Sequence, residues 1–250
     1  MISILIPIYN GIEFLEEAVI SVLNQSFIEW ELLIGINGHE INSNVFLKAK
    51  EMENKSSKIK VYDFYKIQGK SATLNSMIPL CKYNYIALLD VDDIWFSKKL
   101  EIQSKLFKYN YDVIGSRCIW FGKVNGLIPK LPVGDISNFD FIRKNPIINS
   151  SCIIKKELCY WNENGLEDYD LWLRLKRENK KFFNCKKILI KHRIHNNSAF
   201  NGKGNNEKVD EILNINGFNS RSEINNYSAK ILIPKINSVK KMNMNIFNKH

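Results

Sequence analysis

The chain has 250 residues and a mass of 29.2 kDa, enough for one generous α/β domain with an extension. With 45% hydrophobic, 12% aromatic and 25% charged residues it is neither collagen-like, nor a coiled coil, nor wholly disordered. The net charge of +10 is lopsided: residues 1–175 carry 20 Lys and Arg against 21 Asp and Glu, whereas residues 176–250 carry 16 against 5.

Ile2–Ile8 is a nearly continuous β-branched run, as expected of a strand buried on both faces of a largely parallel sheet. Residues 12–23 read as a helix: Phe14, Ala18 and Val22, and beside them Leu15, Val19 and Leu23, recur every four residues, with Glu13, Glu16 and Glu17 near its positive end. Residues 30–36 form a second strand, followed by a polar turn at Asn37-Gly-His39 and a helical or irregular stretch to about residue 54. Residues 58–65 are a third strand and 72–80 a helix. Residues 85–89 are a fourth strand that runs straight into Asp90-Val-Asp-Asp93, and Leu100 and Leu106 punctuate a charged amphipathic helix after it. Residues 112–146 hold short strands around 113–120 and Gly and Pro turns. Residues 165–174 suggest a helix with acids at its N-terminus, and 187–193 a last strand.

From about residue 201 the composition shifts to Asn, Lys and Ser, so the division is a domain over 1–200 and a basic, weakly ordered or helical extension over 201–250. Alternating strands and helices imply a mostly parallel sheet flanked by helices, with right-handed crossovers. Cys81, Cys118, Cys152, Cys159 and Cys185 are odd in number and never form Cys-x-x-Cys, which points to buried thiols in a reducing, cytoplasmic setting. The first residues lack a basic n-region and break at Pro7, and no apolar run reaches the length of a membrane span.

The strongest chemical signal is Asp90 and Asp92, with Asp93 adjacent, directly after an apolar strand. Alternation along a strand lets Asp90 and Asp92 point the same way and share a hard divalent cation, Mn²⁺ or Mg²⁺, with diphosphate oxygens. The bland alternative is that Asp93 caps the next helix and its neighbours are solvated. Glu167, Asp168 and Asp170 have a similar alternative as ordinary helix N-terminal acids, with Trp172 as core packing.

The chain resembles a family 2 glycosyltransferase of the GT-A, Rossmann-like fold. Ile4-Leu-Ile-Pro-Ile-Tyr-Asn10 resembles the opening strand and nucleotide-contacting loop, which implies nucleotide contacts at Pro7, Tyr9 and Asn10. Leu89-Asp-Val-Asp-Asp-Ile-Trp95 is similar to the DxD motif with its trailing Trp, and Lys99-Leu-Glu-Ile-Gln103 to the segment that follows. Glu167-Asp-Tyr-Asp-Leu-Trp-Leu-Arg174 is similar to the Glu-Asp motif and His192-Arg-Ile-His-Asn-Asn-Ser198 to the closing segment. The resemblance implies Asp92 and His195 on the metal, Asp90 at the ribose or at a water of the ion, and Asp168 as the base that deprotonates the acceptor hydroxyl. Its place at a helix start favours the ionised form a base requires. One base without a covalent nucleophile implies single displacement with inversion. Trp95, Glu167 and Trp172 are candidates for the acceptor or sugar pocket.

Lys70, in Gly69-Lys-Ser-Ala-Thr-Leu-Asn75, resembles a variant in which the lysine approaches the nucleotide. Two departures stand out: Asn37 replaces the acid that meets the uracil imide, and Leu74 stands where many members carry Arg. An amide oxygen can still accept the imide hydrogen, so UDP stays the favoured nucleotide. The rival readings are a nucleotidyltransferase, which would want a Gly- and Arg-rich loop after the first strand, and a non-catalytic or degenerate nucleotide-sugar binder. The implied partners are a nucleotide-sugar donor and a glycan, lipid-linked or protein acceptor. The basic end has no stacking platform for nucleic acid, and suits peripheral docking on an anionic membrane surface or plain solubility.

Overall fold

The computed structural model describes residues 1–163, 165–195 and 205–218. Its strands are β1 (Ile2–Ile8), β2 (Trp30–Asn37), β3 (Ile59–Phe64), β4 (Tyr85–Leu88), β5 (Ile94–Trp95), β6 (Val113–Gly122), β7 (Gly134–Asp135), β8 (Ile153–Lys155) and β9 (Phe182–Ile194). The helices are α1 (Leu15–Leu23), α2 (Asn44–Lys50), α3 (Lys70–Met77), α4 (Lys99–Ser104), α5 (Glu167–Arg177) and α6 (Asn205–Ile215). One sheet runs β3-β2-β1-β4-β8-β6-β9-β5, with β7 on β9.

The half built from β3, β2, β1 and β4 is parallel, as expected of apolar runs joined by helices. Beyond β4 the sheet is mixed: β8 is antiparallel to both β4 and β6, and β5 and β7 are antiparallel to β9, while β6 and β9 run parallel. The short strands expected around 113–120 are one ten-residue strand. The last strand is 13 residues long, and its pairing with β6 shifts register between Ser116 and Cys118.

Ile2, Ile4, Ile6 and Ile8 of β1 pack with Leu15, Ala18, Val19 and Val22 of α1, while Leu5 and Leu33 on the other face join Leu74 and Met77 of α3 and Leu171, Trp172 and Leu175 of α5. Each fully buried side chain of this size contributes about 1.5–3 kcal/mol, so the two layers hold β1 from both sides. Past the expected boundary at residue 200, α6 places Val209, Ile212 and Leu213 in that second layer. Their apolar spacing on a helix buries them against α5, so the packed domain extends beyond residue 200. The remaining extension, 219–250, lies outside the described residues. No helix among the described residues is long and apolar enough to cross a membrane.

Candidate active site

Because β1, β2 and β4 are parallel and in register, their carboxyl ends open on one edge, bringing Tyr9, Asn37 and Asp90 to the same side of the sheet. Asp90 is held from three directions: Lys70 Nζ donates to Oδ1 at 2.7 Å, Asn149 Nδ2 to Oδ1 at 2.9 Å and Ser150 Oγ to Oδ2 at 3.1 Å. Burial alone would raise its carboxyl, but the charge and hydrogen bond of Lys70, with the Asn149 amide, hold it below the usual carboxylate range. Asp92 Oδ2 lies 2.9 Å from His195 Nε2, both side chains partly open at 23% and 31% exposure. Burial, then Asp93 and Asp90, push the Asp92 carboxyl up, against the His195 hydrogen bond.

Asp93 does not cap a helix. Its carboxylate is wholly buried, accepting the Arg193 amide at 2.8 Å and pairing with His192 Nδ1 at 3.0 Å. Arg193 Nε donates to the Asp92 carbonyl at 2.8 Å, and its guanidinium lies between the rings of Phe14 and Phe121 at 4.5 and 4.2 Å. The closing segment is thereby stitched to the loop after β4. Residues 196–198 of that segment lie outside the described residues.

Lys70, at the start of α3, also pairs with Glu167 Oε1 at 3.0 Å, which joins the α5 acids to Asp90. Burial would depress the lysine, yet Asp90, Glu167 and Asp168 together keep it well above its ordinary range, so it is a cation. Asp168 accepts the Tyr169 amide at 2.8 Å and Asn145 Nδ2 at 3.2 Å. Its carboxyl is pushed up to about 6 by burial and by Glu167, against the pull of Lys70. The helix start was expected to favour the ionised form; burial and the adjacent acid outweigh it. A carboxyl near 6 is still mostly ionised at neutral pH and is a stronger base than an ordinary aspartate. Leu166, just before these acids, adopts a left-handed conformation (φ 46°, ψ 47°), which costs an ordinary residue about 1–2 kcal/mol.

On the β1–β2 side, Tyr9 is exposed and stacks on His39, ring centroids 5.3 Å apart, and His39 Nε2 meets the Tyr9 carbonyl at 2.6 Å. Gly38 has φ +71°, and a Cβ there would come within 2.7 Å of the Tyr9 ring. Asn37 Nδ2 donates to the Ile8 carbonyl at 3.0 Å, while its Oδ1 is buried with no partner among the described residues. Asn10 is exposed and Pro7, opposite Gly35 in β2, half-buried.

Trp95 and Trp172 are not at this edge. Trp95 is 3% exposed and donates Nε1 to the Ser150 carbonyl at 2.8 Å, and Trp172 is wholly buried in the second core layer, so neither offers a wall to a sugar. Leu74 is likewise core. Sequence reasoning missed Asn145, Asn149, Ser150 and Arg193. A signal existed for two of them: Asn149-Ser-Ser151 is a polar run between Ile147-Ile148 and Cys152-Ile-Ile154, and all three of its residues are buried.

The family model for "Glycosyl transferase family 2" matches residues 3–201. The chain belongs to that family. Among curated members it is 28% identical over 212 residues to the O-antigen biosynthesis glycosyltransferase WbnJ of Escherichia coli, covering 80% of this chain and 82% of the relative. It is 27% identical over 217 residues to the Escherichia coli UDP-Glc:alpha-D-GlcNAc-diphosphoundecaprenol beta-1,3-glucosyltransferase WfgD, covering 81% of each. The fold is GT-A: Staphylococcus aureus TarS, solved with UDP-GlcNAc, superposes with a TM-score of 0.69 at 15% identity over 91% of this chain and 67% of that one. The mannosyltransferase PcManGT of Pyrobaculum calidifontis, solved with GDP-Man and Mn²⁺, gives 0.61 at 11% identity, covering 79% and 58%. This family 2 member is therefore a glycosyltransferase.

Among the described residues no three His, Cys, Asp or Glu side chains converge as a complete metal site. Asp92 and His195 nevertheless fit a divalent ion: one carboxylate oxygen and one imidazole nitrogen, close together and partly open, leave the other positions to ligand oxygens.

Proposed function

We infer that this family 2 member is an inverting transferase that moves a sugar from a UDP-sugar to an acceptor hydroxyl. The observation that carries the reading is Lys70, whose ammonium joins Asp90 of the post-β4 loop to Glu167 beside Asp168. It sets the nucleotide side and the base side of one cleft next to each other.

On the nucleotide side, Tyr9 supplies an aromatic surface backed by His39, and the free Oδ1 of Asn37 suits an imide N–H such as that of uracil. Asp90, already oriented by three donors, faces the ribose. Asp92 and His195 would hold a divalent ion, which would supply Lewis-acid stabilisation to the departing diphosphate. Lys70 adds a fixed positive charge near the same oxygens.

On the base side, Asp168 takes the proton of the acceptor hydroxyl as its oxygen bonds to the anomeric carbon. The bond from that carbon to the diphosphate oxygen breaks on the opposite face, so configuration inverts. Glu167, held by Lys70, lines the sugar-facing side. The name of WfgD supports a lipid-linked saccharide as the acceptor class. Five free, buried thiols are consistent with a cytoplasmic setting, and the basic residues beyond 218 with an anionic membrane surface.

The test is a panel of UDP-, GDP- and TDP-sugars with Mn²⁺ or Mg²⁺, scored for thermal stabilisation and slow donor hydrolysis. UDP-sugars are expected to stabilise best, with hydrolysis lost in Asp168→Asn while nucleotide uptake persists. Uptake without hydrolysis in the native chain would leave a nucleotide-sugar-binding protein instead.

A further inference from the structure

The segment Lys99-Leu-Glu-Ile-Gln103 has no role in the site as described, yet it begins with a fully buried lysine. Lys99 Nζ donates to Gln103 Oε1 at 2.8 Å and sits 4.0 Å over the Trp95 ring. With its oxygen taken by the lysine, the Gln103 amide cannot flip. Its Nε2 donates to the Ile114 carbonyl at 3.0 Å and the Ser151 carbonyl at 2.8 Å. Trp95, on the other side of the lysine, donates Nε1 to the Ser150 carbonyl at 2.8 Å.

Both donors therefore end on one turn, the short 3₁₀ segment Asn149–Ser151, whose three residues are buried. The opposite side of that turn holds Asp90. Asn149 Nδ2 and Ser150 Oγ donate to the carboxylate at 2.9 and 3.1 Å, and Ser150 Oγ accepts the Asp90 amide at 3.0 Å. An apolar side chain of similar volume could fill the Gln103 site as well as an amide does, so packing alone does not account for a buried amide and ammonium here. Fixing the two carbonyls does.

We propose that Lys99, Gln103 and Trp95 are positioning residues: they fix the Asn149–Ser151 turn and, through it, the orientation in which Asp90 meets the nucleotide. The proposal rests on the reading of Asp90 as a nucleotide contact. It makes the segment after the Asp90-Val-Asp-Asp93 loop a buttress behind the site and not a part of its surface.

The experiment compares the native chain with Gln103→Leu, Trp95→Phe, Ser150→Ala and the Gln103→Leu/Ser150→Ala pair. Two quantities are read well below the melting temperature: amide exchange at Asp90 without ligand, and the Kd for UDP and for GDP with Mn²⁺. Gln103→Leu and Trp95→Phe are expected to speed Asp90 exchange about tenfold or more, leave β2 amides unchanged and weaken UDP about tenfold, with the double variant no worse than its weaker parent. Unchanged Asp90 exchange in folded variants, or faster exchange with unchanged UDP affinity, overturns the proposal. Should Gln103→Leu not fold, Trp95→Phe decides: it removes the Nε1 donor together with part of the indole's volume, so faster exchange confined to Asp90, with β2 amides unchanged, separates the lost donor from a general loss of packing. A native chain that takes up neither UDP nor GDP refutes the nucleotide reading of the site, and Asp90 exchange then decides the buttress alone.

Discussion

Asp93 and Arg193 stand a hundred positions apart and meet at 2.8 Å, carboxylate oxygen to backbone amide. The same carboxylate, wholly buried, pairs with His192 at 3.0 Å. The third acid of the loop after β4 thus anchors β9, whereas Asp90 pairs with Lys70 and Asp92 with His195.

Asp93→Ala is expected to destabilise the chain by about 3 kcal/mol, because it leaves a half-buried imidazole and a backbone amide without their shared, fully buried acceptor. It should also loosen His195 from Asp92. Urea unfolding at neutral pH measures the first effect, and weaker Mn²⁺-dependent stabilisation by UDP the second. A loss within about 0.5 kcal/mol, as for a surface site, would contradict the anchoring role.

If Asp168 is the base, as proposed, it sets the acid limb of activity. With a carboxyl at about 6, kcat/KM should fall as pH drops through about 6, and Asp168→Asn should lose about 10²–10⁴ in rate. The sign for stability is opposite. A carboxyl raised from 3.8 in the folded chain means that the native state binds more protons than the unfolded state between about 4 and 6, so stability declines as pH rises across that window. Asp168→Asn removes that penalty and should melt higher than the native chain at pH 7, with the gap closing below pH 4. Thermal melts across pH read this directly.

Lys70→Met leaves Asp90, Glu167 and Asp168 without their shared cation. The acid limb should move above pH 6 as repulsion raises Asp168 further, and UDP should bind about tenfold more weakly through loss of a charge-assisted contact. Lys70→Arg is expected to restore part of the affinity. A pH–rate profile that does not move in Lys70→Met would show that the ammonium does not act on Asp168.

Lys99 carries a stability signature of its own. Burial pulls it from 10.5 to about 7, the thiols of Cys152 and Cys185 opposing weakly. Between pH 7 and 10.5 the unfolded chain binds a proton that the native chain does not, so this residue lowers stability progressively as pH falls through that range, and the loss levels off below 7. Lys99→Met should therefore melt higher than the native chain at pH 7 and converge with it towards pH 10. A gap that stays constant with pH would mean that Lys99 does not titrate in this window.

Local patterns carried much of the reading. The β-branched run of β1, the four-residue spacing in α1 and the acids at the start of α5 are stretches in which neighbouring side chains alone set the conformation, and these elements match their expected places. Motif order along the chain pointed to the family, since Asp90, Asp92, Asp168 and His195 each stand in a recognisable local setting. What could not be read was every decision that depends on which distant segment lies alongside. The two-residue strand β5 exists because Ile94 and Trp95 pair with Lys191 and Ile190, and the mixed half of the sheet depends on β8 fitting between β4 and β6. Trp95 and Trp172 have the composition of a sugar platform and the burial of a core. The carboxyl of Asp168 sits near 6 and not near 4 because burial and, beside it, the charge of Glu167 act on it; Glu167 is legible in the chain order, but the burial of the pair is decided only by the fold. Periodicity along a chain reports which face of an element is apolar; it holds no information on the dielectric or the charges that face meets after folding.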